Sequence, residues 1–330
     1  MSPDVSVIIP CLNAEAFLYR SVQSALDQES CRVEVIIIDD GSTDGTWEKA
    51  LRLASSDSRI RLLRLGQNKG VSHARNIGMN QALGAWIAIL DADDRFLPGR
   101  LIRMLSAAEQ MDADIVLDHL RGYNREDEEI WSPLVKNHAS PCRVSLEEYL
   151  YHARPFTGKL DWGLLQPILK RDFLAKSSML YPEDKNHGED FLFMMSLFKQ
   201  GARCVLIPET GYEYTLRSSG WSRTRIDYAG MVNDCLKLSL NEKKEGRRTT
   251  YKLLCIRASS LYVLIWARLM NGYEDYYKAA TCLLMAFRHP ILLIGMPTPL
   301  LLVIAGALHS FFSRMARIRK LLIRRVLFFK

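Results

Sequence analysis

The 330-residue chain lacks the phosphate-binding loops of the commonest nucleotide folds: neither G-x-x-x-x-G-K-[ST] nor G-x-G-x-x-G occurs. That disfavours a P-loop kinase and a dinucleotide oxidoreductase. It lacks paired cysteines. The seven (Cys11, Cys31, Cys142, Cys204, Cys235, Cys255 and Cys282) are scattered and odd in number, and none forms C-x-x-C. A disulfide scaffold or zinc knuckle is therefore not expected, and the dispersed thiols fit a reducing compartment. The start, MSPDVSVIIP, has no basic n-region and no cleavage site, so no secretory signal is expected. There is no internal repeat. With 48% hydrophobic and 25% charged residues, the chain is neither disordered nor collagen-like.

Acidic residues are absent beyond Asp275. Nine basic residues follow it, which leaves 35 basic against 37 acidic groups in residues 1–275. The whole net charge of +7 thus belongs to the tail. A near-neutral body with a basic, apolar tail points to an anionic membrane surface rather than to nucleic acid. His289–Ser313 is 25 residues without formal charge, long enough to cross ~30 Å of hydrocarbon. Pro297 and Pro299 interrupt it, and both flanks are basic, so no direction of crossing is preferred. A re-entrant or interfacial helix pair, a single span and a buried soluble helix pair all fit. The last stretch, RMARIRKLLIRRVLFFK, is a basic amphipathic segment suited to a headgroup layer.

Strand and helix patterns alternate through residue 118. Val5–Ile9, Val33–Ile38, Ile60–Leu65, Trp86–Leu90 and Ile115–Leu117 read as strands. Helical spacing falls on 15–28, Trp47–Ala54, Val71–Leu83 and 98–110. Continuous apolar strands between helices predict a mostly parallel sheet covered on both faces, a doubly wound α/β domain. Residues 119–140 are charged and read as a surface excursion. Beyond them a short helix is expected at 145–151, strands at Leu164–Leu169 and 203–207, and helix at Phe191–Lys199. From Ile226 the pattern is helical (226–240, 248–270, 273–287). The expected division is 1–225 and 226–330.

Ligands of such sheets bind beyond the carboxyl ends of the strands. Three polar clusters follow strands directly: Pro10–Glu15, Asp39–Asp44 and Asp91–Asp94. The carboxylates of Asp91, Asp93 and Asp94 either gather a divalent cation such as Mg²⁺ or Mn²⁺ or form a solvated turn capping the next helix. Asp39–Asp44 either caps a helix through Ser42 or Thr43 or hydrogen-bonds a base or ribose. Asn68–Asn76 opens a helix, with Lys69 and Arg75 near an N-terminus that can hold an anion.

VSVIIPCLNAE, VIIIDDGSTDGT, NKGVSHARNIG, LDADD and GED, in this order and at these intervals, resemble the family-2 glycosyltransferases of the GT-A fold. The resemblance covers about residues 3–220. It implies a Rossmann-like nucleotide-diphospho-sugar transferase domain, followed here by a helical membrane-associating region. By that resemblance Pro10, Asn13 and Glu15 would line the nucleotide pocket, and Asp40 would hydrogen-bond the base, commonly uracil. Asp91 and Asp93 match D-x-D: Asp91 would contact ribose or help hold the site, and Asp93 would ligate Mn²⁺ or Mg²⁺, with Asp94 secondary. Arg75 would hold the nucleotide side. Asp190, beside Glu189, matches the general base. Glu183-Asp184 lies six residues earlier, but after Pro182 it reads as a loop. His187 reads as a loop residue rather than a ligand.

Two departures matter. Leu12 stands where many members have an aromatic residue on the base. Q-x-x-R-W, the mark of processive synthases, is absent, although Arg217 and Trp221 lie in that region. Single-sugar transfer with inversion is therefore expected, from a nucleotide-diphosphate sugar to a lipid-linked saccharide of surface polysaccharide. The expected location is peripheral or monotopic on the cytoplasmic face of the plasma membrane. Rival readings are a nucleotidyltransferase, which would usually carry a Gly-rich basic loop at the first strand, and a non-catalytic nucleotide-sugar binder. Residues 119–187, which would shape the sugar pocket, hold no readable motif.

Overall fold

The structure is a computed structural model and describes residues 2–124, 129–131, 140–155, 161–185, 187–216 and 226–270. The chain divides into two units, residues 1–227 and 228–330. In the first, β1 (Val5–Cys11) and β2 (Val33–Asp39) are buried at every position, as continuous apolar runs require when both faces of a sheet are covered. Around them lie β3 (Ile60–Arg64), β4 (Trp86–Ile89), β5 (Arg95–Phe96), β6 (Ile115–Asn124), β7 (Glu129–Trp131), β8 (Cys142–Val144), β9 (Ile168–Lys170) and β10 (Cys204–Leu216). The sheet runs β3-β2-β1-β4-β9-β6-β10-β5, with β7 on β6 and β8 on β10. Strands β3, β2, β1 and β4 are mutually parallel, as are β6 and β10. Antiparallel β9 joins these two halves.

Helices α1 (Leu18–Leu26), α2 (Thr46–Ser56), α3 (Val71–Gln81) and α4 (Arg100–Gln110) follow the early strands. Later come α5 (Leu146–His152), α6 (Arg171–Ser177) and α7 (Glu189–Lys199). The second unit contains α8 (Tyr228–Lys244) and α9 (Arg248–Met270). Among the described residues no helix is long and apolar enough to cross a membrane. The expected helix at 273–287, the apolar stretch 289–313 and the basic tail lie outside the described residues.

Three expectations change. The charged segment after Leu117 is not all surface excursion: β6 continues to Asn124, because β10 pairs with it through Leu216. The strand expected at Leu164–Leu169 begins only at Ile168, after a 3₁₀ turn at Trp162–Leu164. The strand expected at 203–207 runs on to Leu216 through an irregularity between Leu206 and Tyr212, where Pro208 has no N–H to give the ladder.

A buried ion pair explains how β6 can carry a charge inward. Arg100, at the start of α4, is fully buried, and Asp118 is 1% exposed. Nε and Nη2 of Arg100 donate to the two Asp118 oxygens, each at 2.8 Å. The guanidinium lies over the rings of Phe96 (4.5 Å) and Tyr212 (5.3 Å). Gly211 leaves the room: a Cβ there would meet Asp118 Oδ2 at 2.2 Å. Asp118→Ala strands a buried guanidinium and is expected to cost about 3–5 kcal/mol. Replacing both partners together (Arg100→Met with Asp118→Leu) should recover most of that loss. Urea midpoints measure both, and an Asp118→Ala protein as stable as the parent would disprove the pair's role.

Candidate functional site

The loops at the carboxyl ends of β1 and β2 are zipped together. Asn13 Oδ1 accepts from Thr43 N (2.9 Å) and Glu15 Oε2 from Gly45 N (3.1 Å), while Ala14 N donates to Thr46 Oγ1 (2.8 Å). Asn13 and Glu15 therefore fix the rim of this corner through the neighbouring loop. Pro10 is buried within β1, and Leu12 is 37% exposed beside it. Asp40 is buried and accepts from Lys69 N (2.8 Å) and Gly70 N (2.9 Å), which pins the loop that starts α3. Gly41 makes that approach possible: its φ is +79°, and a Cβ would meet Asn68 N at 2.8 Å.

Arg75, on α3, is the hub. Its side chain is 3% exposed, and Tyr181 lies beneath it with the ring centroid at 5.1 Å. Nη2 donates to Asp91 Oδ1 (3.0 Å); Nη1 donates to Glu189 Oε1 (3.1 Å) and Asp190 Oδ1 (2.9 Å). Asp91 lies two residues past the end of β4, and Glu189 and Asp190 form the first turn of α7, where the helix dipole favours negative charge. One guanidinium thus gathers three carboxylates from two distant segments. Burial would lower Arg75's pKa, but Asp190, Asp91 and Glu189 outweigh it and hold it above its ordinary value. Asp190 is pushed up to about 7 by burial, against the pull of Arg75 and with the help of Glu189 and Asp91. A quarter of its side-chain surface stays exposed (25%), so it can exchange a proton with a bound group.

The Asp91–Asp94 turn splits its acidic residues. Asp94 is 1% exposed: Oδ2 accepts from Tyr212 Oη (2.7 Å) and Oδ1 from Thr215 N (2.7 Å). Burial, then Asp93 and Asp91, hold its pKa well above the carboxylate range. Asp94, expected as a secondary metal ligand, is thus an inward anchor between the turn and β10. Asp91 and Asp93 remain as candidate ligands. Asp93's carbonyl accepts from Thr215 Oγ1 (2.5 Å) and Arg20 Nη2 (3.1 Å). Among the described residues no three His, Cys, Asp or Glu side chains form a ready-made cage. Two carboxylates suit a cation that completes its shell with phosphate oxygens and water.

Glu183 is held at α3 by Asn76 Nδ2 (3.0 Å) and His73 Nδ1 (2.9 Å), and Asp184 is exposed, so that pair does not meet Arg75. His187 lies 3.5 Å from Asp227 N. Arg217 and Trp221 fall outside the described residues. Tyr181, Tyr212, Thr215 and Arg20 carried no sequence signal, because each meets its partner across a long stretch of chain.

Residues 6–162 match the family described as Glycosyl transferase family 2. The succinoglycan biosynthesis protein ExoO of Rhizobium meliloti is 34% identical over 227 residues, covering 68% of this chain and 65% of that protein. The chain therefore spans just under two thirds of that relative's length. A Campylobacter jejuni relative, GalNAc(5)-diNAcBac-PP-undecaprenol beta-1,3-glucosyltransferase, is 26% identical and covers 96% of this chain and 98% of its own. Among solved structures, Staphylococcus aureus TarS 1-349 in complex with UDP-GlcNAc superposes with a TM-score of 0.64 at 19% identity, over 79% of this chain and 73% of that one. That likeness is one of fold: a GT-A-like α/β fold with a mostly parallel sheet.

Arg75→Gln should raise the midpoint of Asp190 above about 7, because Arg75 is the one group found to lower it. Carbon-13 NMR titration of the aspartate carboxyls reads the shift. An unchanged or lower midpoint would contradict the hub.

Proposed function

The chain belongs to glycosyltransferase family 2 through residues 6–162, and we propose that it moves one sugar from a nucleotide-diphosphate sugar, most simply a UDP-sugar, to a hydroxyl of a lipid-linked saccharide in surface polysaccharide assembly. One observation carries the reading. A proton-accepting carboxylate with a pKa near 7, Asp190, is tied through Arg75 to Asp91 just past the end of β4. That puts a base beside the turn where a diphosphate would be held. The names of the succinoglycan and PP-undecaprenol relatives favour the same substrate classes, and UDP-GlcNAc in TarS favours a uridine donor.

The chemistry is a single displacement. The acceptor oxygen attacks the anomeric carbon as Asp190 takes its proton, and the bond from that carbon to the phosphate oxygen breaks on the opposite face. The nucleoside diphosphate leaves with the electron pair, and the anomeric configuration inverts. Arg75 positions Asp190 and keeps part of its charge compensated. Asp91 and Asp93 would hold Mn²⁺ or Mg²⁺, which supplies Lewis-acid stabilisation of the leaving diphosphate. Leu12 would give the base apolar contact. The basic tail would keep the enzyme on the cytoplasmic face of the plasma membrane, peripheral or monotopic, where donor and lipid-linked acceptor meet.

Asp190→Asn should lower transfer at least about 10²-fold with UDP affinity nearly unchanged. Asp93→Ala should instead weaken Mn²⁺-dependent donor binding. Release of UDP from a panel of UDP-sugars, with a membrane-lipid extract as acceptor, measures both; a largely active Asp190→Asn enzyme would sink the base assignment. Deleting residues 289–330 should move the protein from the membrane pellet to the supernatant on fractionation, and a truncated protein still in the pellet would refute tail anchoring.

A further inference from the structure

A second charge cluster flanks the Asp91–Asp94 turn, with the opposite balance. Glu213 on β10 is fully buried. It lies in register with Arg95 on β5 and Arg121 on β6, so the three residues form a row across adjacent strands. Arg95 Nε is 2.5 Å from Glu213 Oε1, and Arg121 Nη2 is 2.8 Å from Oε2. Arg20, from α1, stands 3.9 Å from the same carboxylate, and its guanidinium also lies 5.3 Å from the ring centroid of Tyr123.

One carboxylate cannot neutralise three guanidinium groups. Burial would raise Glu213's pKa, but hydrogen bonds from Arg95 and Arg121 outweigh it and keep the group ionised. Among the described residues, three guanidinium groups thus share this one carboxylate. Arg20 Nη2 also donates to Thr215 Oγ1 (2.5 Å). The three arginines keep 30%, 35% and 27% of their side-chain surface exposed, so each guanidinium can reach a further partner from solvent.

The cluster is on the β6-β10-β5 half of the sheet, whereas the nucleotide corner is on the β2-β1-β4 half. Arg20 joins it to the turn through the carbonyl of Asp93. We propose that Arg20, Arg95 and Arg121 form an anion subsite that takes the phosphate link of the acceptor, an inference that rests on the lipid-linked acceptor proposed above. Three guanidinium groups around one carboxylate favour a multiply charged phosphate or diphosphate over a singly charged carboxylate, and guanidinium forks fit phosphate oxygens in pairs.

The test titrates the full chain by calorimetry with farnesyl diphosphate, with farnesol as its uncharged counterpart, and separately with UDP plus Mn²⁺. Arg95→Gln and Arg121→Gln each leave Glu213 an ion-pair partner. Each should weaken farnesyl diphosphate about tenfold while UDP stays within about twofold. Glu213→Gln should tighten farnesyl diphosphate, because it removes the carboxylate's negative charge; a structural staple would gain nothing from it. This variant keeps the idea testable where an arginine variant fails to fold. Unchanged binding in both arginine variants, equal binding of farnesol, or weaker binding by Glu213→Gln would each overturn the subsite. A parallel loss of UDP would assign the arginines to the donor instead and equally overturn it. A parent protein that binds UDP but not farnesyl diphosphate refutes this inference alone. One that neither binds UDP nor releases it from UDP-sugars refutes the transferase reading.

Discussion

The candidate site depends on a charge imbalance around Arg75. Three carboxylates converge on one buried guanidinium, and in a low-dielectric setting the repulsion among them is costly. The imbalance is relieved at Asp190, which holds its proton up to about pH 7. A group poised near neutrality is what proton transfer at cellular pH requires, and here it results from burial beside Glu189 and Asp91 rather than from any property of an aspartate. The same guanidinium fixes geometry: it holds the turn after β4 and the first turn of α7 to one point on α3.

Asp94 performs the matching task on the other side of the turn. By accepting from Tyr212 Oη and Thr215 N it ties the end of β4 to β10, across the junction between the two parallel halves of the sheet. Tyr212 also receives Asp91 N at 3.3 Å, so one phenol steadies both ends of the acidic turn. The turn is thus held between an acid-rich cluster around Arg75 and an arginine-rich cluster around Glu213. Among the described residues, three carboxylates surround the one guanidinium and three guanidinium groups surround the one carboxylate.

Much of this was readable before any coordinates. The early strands are continuous apolar runs because both sheet faces are covered, and their carboxyl ends are marked by polar clusters. Asp40, Arg75, Asp91 and Asp190 could be singled out because they stand in segments that resemble family-2 glycosyltransferase motifs, and Asp40 and Asp91 also follow strands closely. What escaped did so for one reason: in a linear reading, charge signals solvent. Asp118, Arg121 and Glu213 are charged yet belong to sheet strands, and their partners lie far away in sequence. For the same reason, the run Asp91-Ala92-Asp93-Asp94 could not reveal which carboxylate turns inward. That depended on Tyr212 and Thr215, more than a hundred residues on.

The loss of Asp94 from the outward set has a consequence for the proposed chemistry. Two carboxylates alone form a weak site for Mg²⁺ or Mn²⁺, which prefers six oxygen donors and gives up water reluctantly. Asp91 is further committed through one oxygen to Arg75. A cation would therefore bind firmly only together with the donor's diphosphate, and would lose most of its ligands when that diphosphate departs. The arginine cluster has no such dependence, since its guanidinium groups are built into the fold. On the proposed reading, one half of the sheet offers a standing anion site, while cation binding on the other half is coupled to the arrival and departure of the donor.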